Sequence, residues 1–178
     1  MIRRIFPGLA ADVRGAAVIE MALVAPVLAL TVIGIVDISN AYSRKLALEQ
    51  GAQRAIEKIM QTTETSTVQN TLTTEAVCQV NGMNADNTCK TSPITAANVT
   101  VTYRLECKDS TGSIVSTSTT TDSTAFDALF CDPSQREQRY LEVRLTDTYS
   151  PLFPIHFLSF NSGSGGYPLS ATAGMRTQ

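Results

Sequence analysis

Tryptophan is absent from these 178 residues, histidine occurs once (His156), and only 17% of the chain is charged. That is a low charge content for a protein bathed in water throughout. No face or run gathers lysines and arginines in the way nucleic-acid binding demands, so that class is excluded. Catalytic signatures are missing too: there is no GxSxG, HExxH or GxxxxGK pattern. His156 stands between Ile155 and Phe157 and reads as structural. Ser113, Ser116 and Ser118 lie in a serine/threonine run with no partner base, which gives a nucleophile no activation. The expectation is a protein that is not an enzyme, with no cofactor and no small-molecule substrate.

CxxC spacing is also lacking. The four cysteines, Cys78, Cys89, Cys107 and Cys131, are spread over the second half, and the one histidine is remote in sequence, so a zinc site is not expected. An even count points instead to two disulfides in an oxidising compartment. Three pairings are open; Cys78–Cys89 with Cys107–Cys131 is favoured because both close local loops.

What the chain does have is a long apolar run behind a basic leader. Arg3, Arg4 and Arg14 precede a small-residue junction, Gly15-Ala16; Glu20 follows, and no charge occurs from Met21 to Val36. Residues 16–38 are long enough to cross a bilayer as a helix, and the arginine excess keeps the N-terminus cytoplasmic. A carboxylate inside such a segment costs about 2.5–3.5 kcal/mol on insertion scales, so Glu20 calls for a function. A cut after Gly15 would free the Ala16 amine one helical turn from Glu20, where the two can pair within a chain or between neighbours. A signal peptide ending near Ser39-Asn40-Ala41 is the competing reading. Against it, helical spacing continues beyond that point: Ile35, Ile38, Tyr42, Leu46, Glu49, Ala52, Ile56 and Ile59 form one stripe, with Arg44, Lys45, Arg54 and Lys58 opposite. One helix from Ala16 to Gln61 would measure about 70 Å. Pro26 is expected to kink or locally unravel it, and Gly34 and Gly51 are tolerated weak points.

Beyond Met60 the composition turns polar. Gln61 to Thr74 reads as a fraying helix end and loop, and Asn81-Gly82 as a turn. Residues 98–108 alternate as a strand with Val99, Val101, Tyr103, Leu105 and Cys107 on one face. Residues 109–124, rich in serine and threonine, are expected to be a mobile loop or ragged hairpin. A second strand spans Tyr140 to Thr148. Pro151 and Pro154 break it, and Ile155, Phe157, Leu158 and Phe160 provide apolar cover. Leu169, Ala171, Ala173 and Met175 mark a third strand after the Gly163–Gly166 turn. Asn98-Val-Thr100 matches an N-glycosylation pattern by accident of a strand start. Three antiparallel strands on the amphipathic half of a long helix make an α+β, pilin-like fold.

Arg14-Gly-Ala-Ala-Val-Ile-Glu20 with the apolar stretch after it, Gly34-Ile-Val-Asp37 and Leu48-Glu-Gln-Gly-Ala-Gln-Arg-Ala55 together resemble the TadE-like family, minor pilins or pseudopilins of bacterial tight-adherence (Flp-type) pili. Tyr140-Leu-Glu-Val-Arg-Leu-Thr-Asp-Thr-Tyr-Ser-Pro-Leu-Phe-Pro154 is more loosely similar to that family's late strand and proline-rich turn. The resemblance implies cleavage between Gly15 and Ala16 by a prepilin peptidase and makes Glu20 the fifth residue of the mature chain. A chain beginning with alanine departs from the phenylalanine of many type IV pilins, which puts methylation in question. Implied partners are the peptidase, other pilins or pseudopilins of the system, an inner-membrane assembly platform and membrane lipid. The expected organisation is a cleaved leader (1–15), a transmembrane or fibre-core helix (16–38), its amphipathic continuation (39–61) and a disulfide-containing periplasmic or extracellular head (62–178). Two rival readings are an uncleaved single-pass envelope protein and a binding module gripping a surface through the segment from Cys107 to Cys131.

Overall fold

The computed structural model describes residues 15–61, 68–153 and 161–177. The leader arginines and residues 154–160, including Pro154, His156 and the apolar cover expected from Ile155, Phe157, Leu158 and Phe160, lie outside them. Helix α1 (Ala16–Gln61) is followed by α2 (Val68–Asn81), a 3-10 turn (Ala96–Asn98), β1 (Val99–Lys108), β2 (Ile114–Thr120), a short α3 (Ser123–Asp127), β3 (Arg136–Tyr149) and β4 (Tyr167–Arg176). The strands form one antiparallel sheet in the order β2-β1-β3-β4. The fold is α+β, a long N-terminal helix against a small sheet.

Alternation places Val101, Tyr103 and Leu105 of β1 and Leu141, Val143 and Leu145 of β3 on the face turned to the helices. Val101 lies opposite Val143, and Leu145 opposite Ala171 of β4. Small residues at Ala171 and Ala173 leave room for α1 to lie across β3 and β4. Leu48, Ala52, Ala55 and Ile56 are the α1 residues buried there, joined by Leu72 and Ala76 from α2.

Four expectations need correction. The sheet has four strands rather than three: of the loop or ragged hairpin expected over 109–124 the hairpin forms, and residues 114–120 pair with β1 as an edge strand. Threonine favours strands, and Asp109 builds the turn by accepting from the Thr111 and Ser113 amides at 2.8 and 2.9 Å. Second, the stretch read as loop up to Thr74 is helical from Val68. Leu72, Ala76 and Val80 repeat at four-residue steps and pack on α1, and α2 ends where Gly82 adopts φ +77°. Third, the expected buried stripe of α1 holds only in its last turns, where Ala52 and Ile56 are buried and Ile59 partly so. Ile35, Ile38, Tyr42 and Leu46 are exposed, whereas Arg44, assigned to the outer face, turns inward to Asp147 at 2.7 Å. Fourth, of the two outcomes expected at Pro26, the local unravelling does not occur: α1 is continuous through it.

Gly51 is more than a tolerated weak point. A Cβ there would meet Val80 Cγ2 at 2.5 Å and the Ala76 carbonyl at 3.2 Å, so its missing side chain is what lets α2 lie against α1. Cys78 is bridged to Cys89 and Cys107 to Cys131. By loop-closure entropy each bridge is worth about 3 kcal/mol. Asn81, buried at the end of α2, donates to the carbonyls of Lys90 and Ile94 (2.8 and 2.7 Å) and accepts from the Ile94 amide (3.0 Å), which ties down the segment crossing to β1.

Candidate functional site

Gly15 directly precedes α1, and Ala16 opens it, four residues before Glu20. Glu20 is exposed on a helix whose residues 17–32 are all exposed, with Val18, Ile19, Met21, Leu23, Val27, Leu28 and Leu30 presenting large apolar side chains outward. This segment is long and apolar enough to cross a membrane, and none of it is covered by the head. An exposed helix of this length and composition fits lipid or other apolar helices better than water.

One helical turn-count further on, the surroundings change at a single residue. Asp37 is 6% exposed although it directly follows the uncharged run. Its carboxylate accepts from Tyr149 Oη at 3.0 Å and from the backbone amides of Leu152 and Phe153 at 2.8 and 3.3 Å. A buried carboxylate is tolerable when its oxygens are met by donors in this way. Burial raises the Tyr149 phenol above its ordinary pKa, and the hydrogen bond to Asp37 adds to that. Asp37 thus fastens the end of β3 and the chain just after it to the point where α1 enters the head. Arg44 and Asp147 repeat the fastening two turns later. Asp37 and Tyr149 were missed as functional residues in the sequence. The available signal was a lone acid at the foot of an uncharged run, which needs donors wherever it is buried.

The far end of the head is organised around Arg139. It donates to Leu129 O at 2.6 Å, pairs with Glu137 and lies 4.8 Å over the Phe126 ring. Asp122 caps α3 through the Thr124 amide at 2.8 Å, and the Cys107–Cys131 bridge closes the segment. Phe130 beside it is 76% exposed, with Ile114 and Val115 exposed on β2. The Asn98 amide oxygen of the glycosylation pattern is engaged by the Thr95 amide at 2.9 Å. On the outer sheet face a groove of about 500 Å³ runs between Arg104, Tyr140, Glu142 and Arg176. Arg104 lies 4.7 Å over the Tyr140 ring and pairs at 3.0 Å with Glu106, a buried carboxylate that Lys108 also approaches at 3.9 Å.

Glu20 and Asp37 therefore mark the two ends of the bare part of the helix, and the head begins at the second. That division is what a comparison with known proteins picks out. Residues 15–56 match the TadE-like protein family. The TadE-like match begins at Gly15, takes in Glu20 and Asp37 and stops at Ile56 inside the core, so it covers the helix and leaves the sheet outside. It does not extend to the looser likeness around residues 140–154. The match over this segment suggests involvement in a tight-adherence pilus, with other pilus components as partners, and the apolar helix fits a membrane-anchored protein. No curated protein and no solved structure matches the chain.

Proposed function

We propose that the protein is a minor pilin or pseudopilin that takes part in assembling, priming or capping a tight-adherence pilus and so supports surface adhesion. The observation that carries this reading is one continuous helix, bare through residues 17–32 and packed by one face against a folded head from Asp37 onward. A helix of this kind can be stored in a bilayer and later passed into a fibre core, because both offer apolar surroundings. The leader stays in the cytoplasm and the head is periplasmic or, in a fibre, extracellular. A prepilin peptidase cuts between Gly15 and Ala16. The new amine is neutralised by a Glu20 carboxylate, its own or a neighbour's, which removes the cost of carrying both charges in an apolar medium. The protein works by assembly rather than catalysis, and uses no cofactor or metal.

Glu20→Ala tests the assembly role. The variant is expected to insert in the membrane normally but to be missing from sheared pili on immunoblots. Normal incorporation would remove Glu20 from the account.

The exposed Phe130 on the disulfide-closed segment favours a second reading, in which the head is a binding module. Deleting residues 109–124 would remove an edge strand, so Phe130→Ser is the cleaner change. Lost adhesion with intact pili supports binding through this end; lost pili supports assembly.

A further inference from the structure

We propose that the end of the head nearest the span is itself a lipid-docking surface, in which Leu152 and Phe153, clamped by Asp37, and Ile38 and Tyr42 on the emerging helix lie in the outer interfacial layer of the bilayer. The inference rests on the membrane-spanning reading of α1 and goes beyond it, because it concerns the head.

Depth is the first argument. A hydrocarbon core of about 30 Å takes up roughly 20 residues of helix. Counted from Ala16 the core ends near residue 36; counted from Glu20 it ends near residue 40. Asp37 falls between the two, so whatever is hydrogen-bonded to Asp37 sits at the bilayer boundary. The chain so bonded is residues 149–153.

Surface chemistry is the second. Leu152 is 66% exposed and Phe153 36%, while Ile38 and Tyr42 are 62% and 63% exposed on the adjoining helix. Between Met21 and Ser43 the only charged side chain is Asp37, which is turned into the head. The next charges on α1 are Arg44, paired with Asp147, and the exposed Lys45, about 12 Å beyond Asp37 by helical rise, where headgroups and water begin. Tyrosine at this level is the usual aromatic anchor of a span.

Backbone satisfaction is the third. A loop can enter a layer poor in water only if its amides have partners. The Leu152 and Phe153 amides both donate to Asp37, and the Tyr149 hydroxyl does as well. One carboxylate therefore takes up the Leu152 and Phe153 amides together with the Tyr149 hydroxyl, while the Leu152 and Phe153 side chains stay exposed. Neither residues 21–43 of α1 nor residues 149–153 contain a lysine or arginine, so the partner is the apolar edge of a zwitterionic bilayer rather than an anionic headgroup.

The absence of tryptophan allows a direct test in the full-length protein. Single reporters are placed at Phe153→Trp, at Leu28→Trp in the span and at Ile114→Trp at the far end of the head. Each is reconstituted in phosphatidylcholine vesicles whose acyl chains are brominated either near the carbonyl or near the methyl end. The expected result is quenching of Phe153→Trp at least about two-fold above that of Ile114→Trp and strongest with the shallow bromines, with Leu28→Trp quenched best by the deep ones. Asp37→Ala in the Phe153→Trp background should roughly halve the quenching at residue 153 and leave that at residue 28 unchanged. Quenching at residue 28 with none above the Ile114→Trp level at residue 153 would overturn the docking surface and leave the span intact. No quenching at either would overturn both. Shielding of residue 153 that grows with the protein-to-lipid ratio would make a second copy the occupant and also overturn the proposal.

Discussion

Residues 17–36 and 37–61 of α1 belong to one uninterrupted helix, yet the first stretch lies bare and the second is partly covered by the sheet and by α2. Their compositions explain the difference. The first has large apolar side chains all round, the pattern of a helix with no aqueous face. The second concentrates small residues, Ala41, Ala47, Gly51, Ala52 and Ala55, on the side where β3, β4 and α2 approach. Hydrophobicity alone does not bury a helix: the more apolar half is the uncovered one. What buries the second half is shape, together with polar fasteners at Asp37 and Arg44.

Substitutions of equal size in the two halves break the comparison most visibly. Leu48→Ala, in the core, should lower stability by about 3 kcal/mol, whereas Leu28→Ala should shift it by less than about 0.5 kcal/mol. Denaturant melts followed by circular dichroism in detergent check this; equal losses would mean that the span packs on the head. Asp37→Ala comes next. It strips three donors of their acceptor and should cost about 2 kcal/mol, with hydrogen exchange rising first at the Leu152 and Phe153 amides. Gly51→Ala should cost about 1 kcal/mol despite the better helix propensity of alanine, because the new methyl meets Val80. Adding Val80→Ala should recover part of that loss, and failure to do so would place the strain elsewhere.

A smaller effect is expected with pH. Burial and Asp37 hold the Tyr149 phenol above its ordinary value, so the folded state favours the neutral form. That contribution is complete below pH about 10 and is lost as pH rises through the higher folded value. The alkaline limb of a stability–pH profile should therefore begin to fall above pH about 10, and Asp37→Ala should flatten it.

Much of this architecture is legible in the residues. The 3.6-residue spacing of α1 and the alternation in β1, β3 and β4 are strong periodic signals, and two local cysteine loops pointed to the pairs that the structure joins. Other features are hidden for physical reasons. Strand β2 consists of serine and threonine after Ile114-Val115, exposed on both faces, so no apolar alternation marks it; its pairing comes from the backbone and from β1 beside it. Helix α2 carries threonines of low helical propensity and is held by tertiary contacts through Leu72, Ala76 and Val80. The packing face of α1 is legible at Ala52 and Ile56 but misplaced before them, because Ile35, Ile38, Tyr42 and Leu46 draw the eye away from the face that packs, which carries Leu48, small side chains and the Arg44–Asp147 ion pair. Asp37 is legible as an acid in an awkward place, but its donors lie more than a hundred residues away in sequence and only the fold brings them to it.

The most direct test of the pilin-type account is the N-terminus of the protein taken from its native membrane, read by intact mass and terminal sequencing. The account predicts a chain beginning at Ala16, reverting to Met1 in cells lacking the prepilin peptidase. A chain still beginning at Met1 beside an active peptidase would contradict it and leave an ordinary anchored envelope protein.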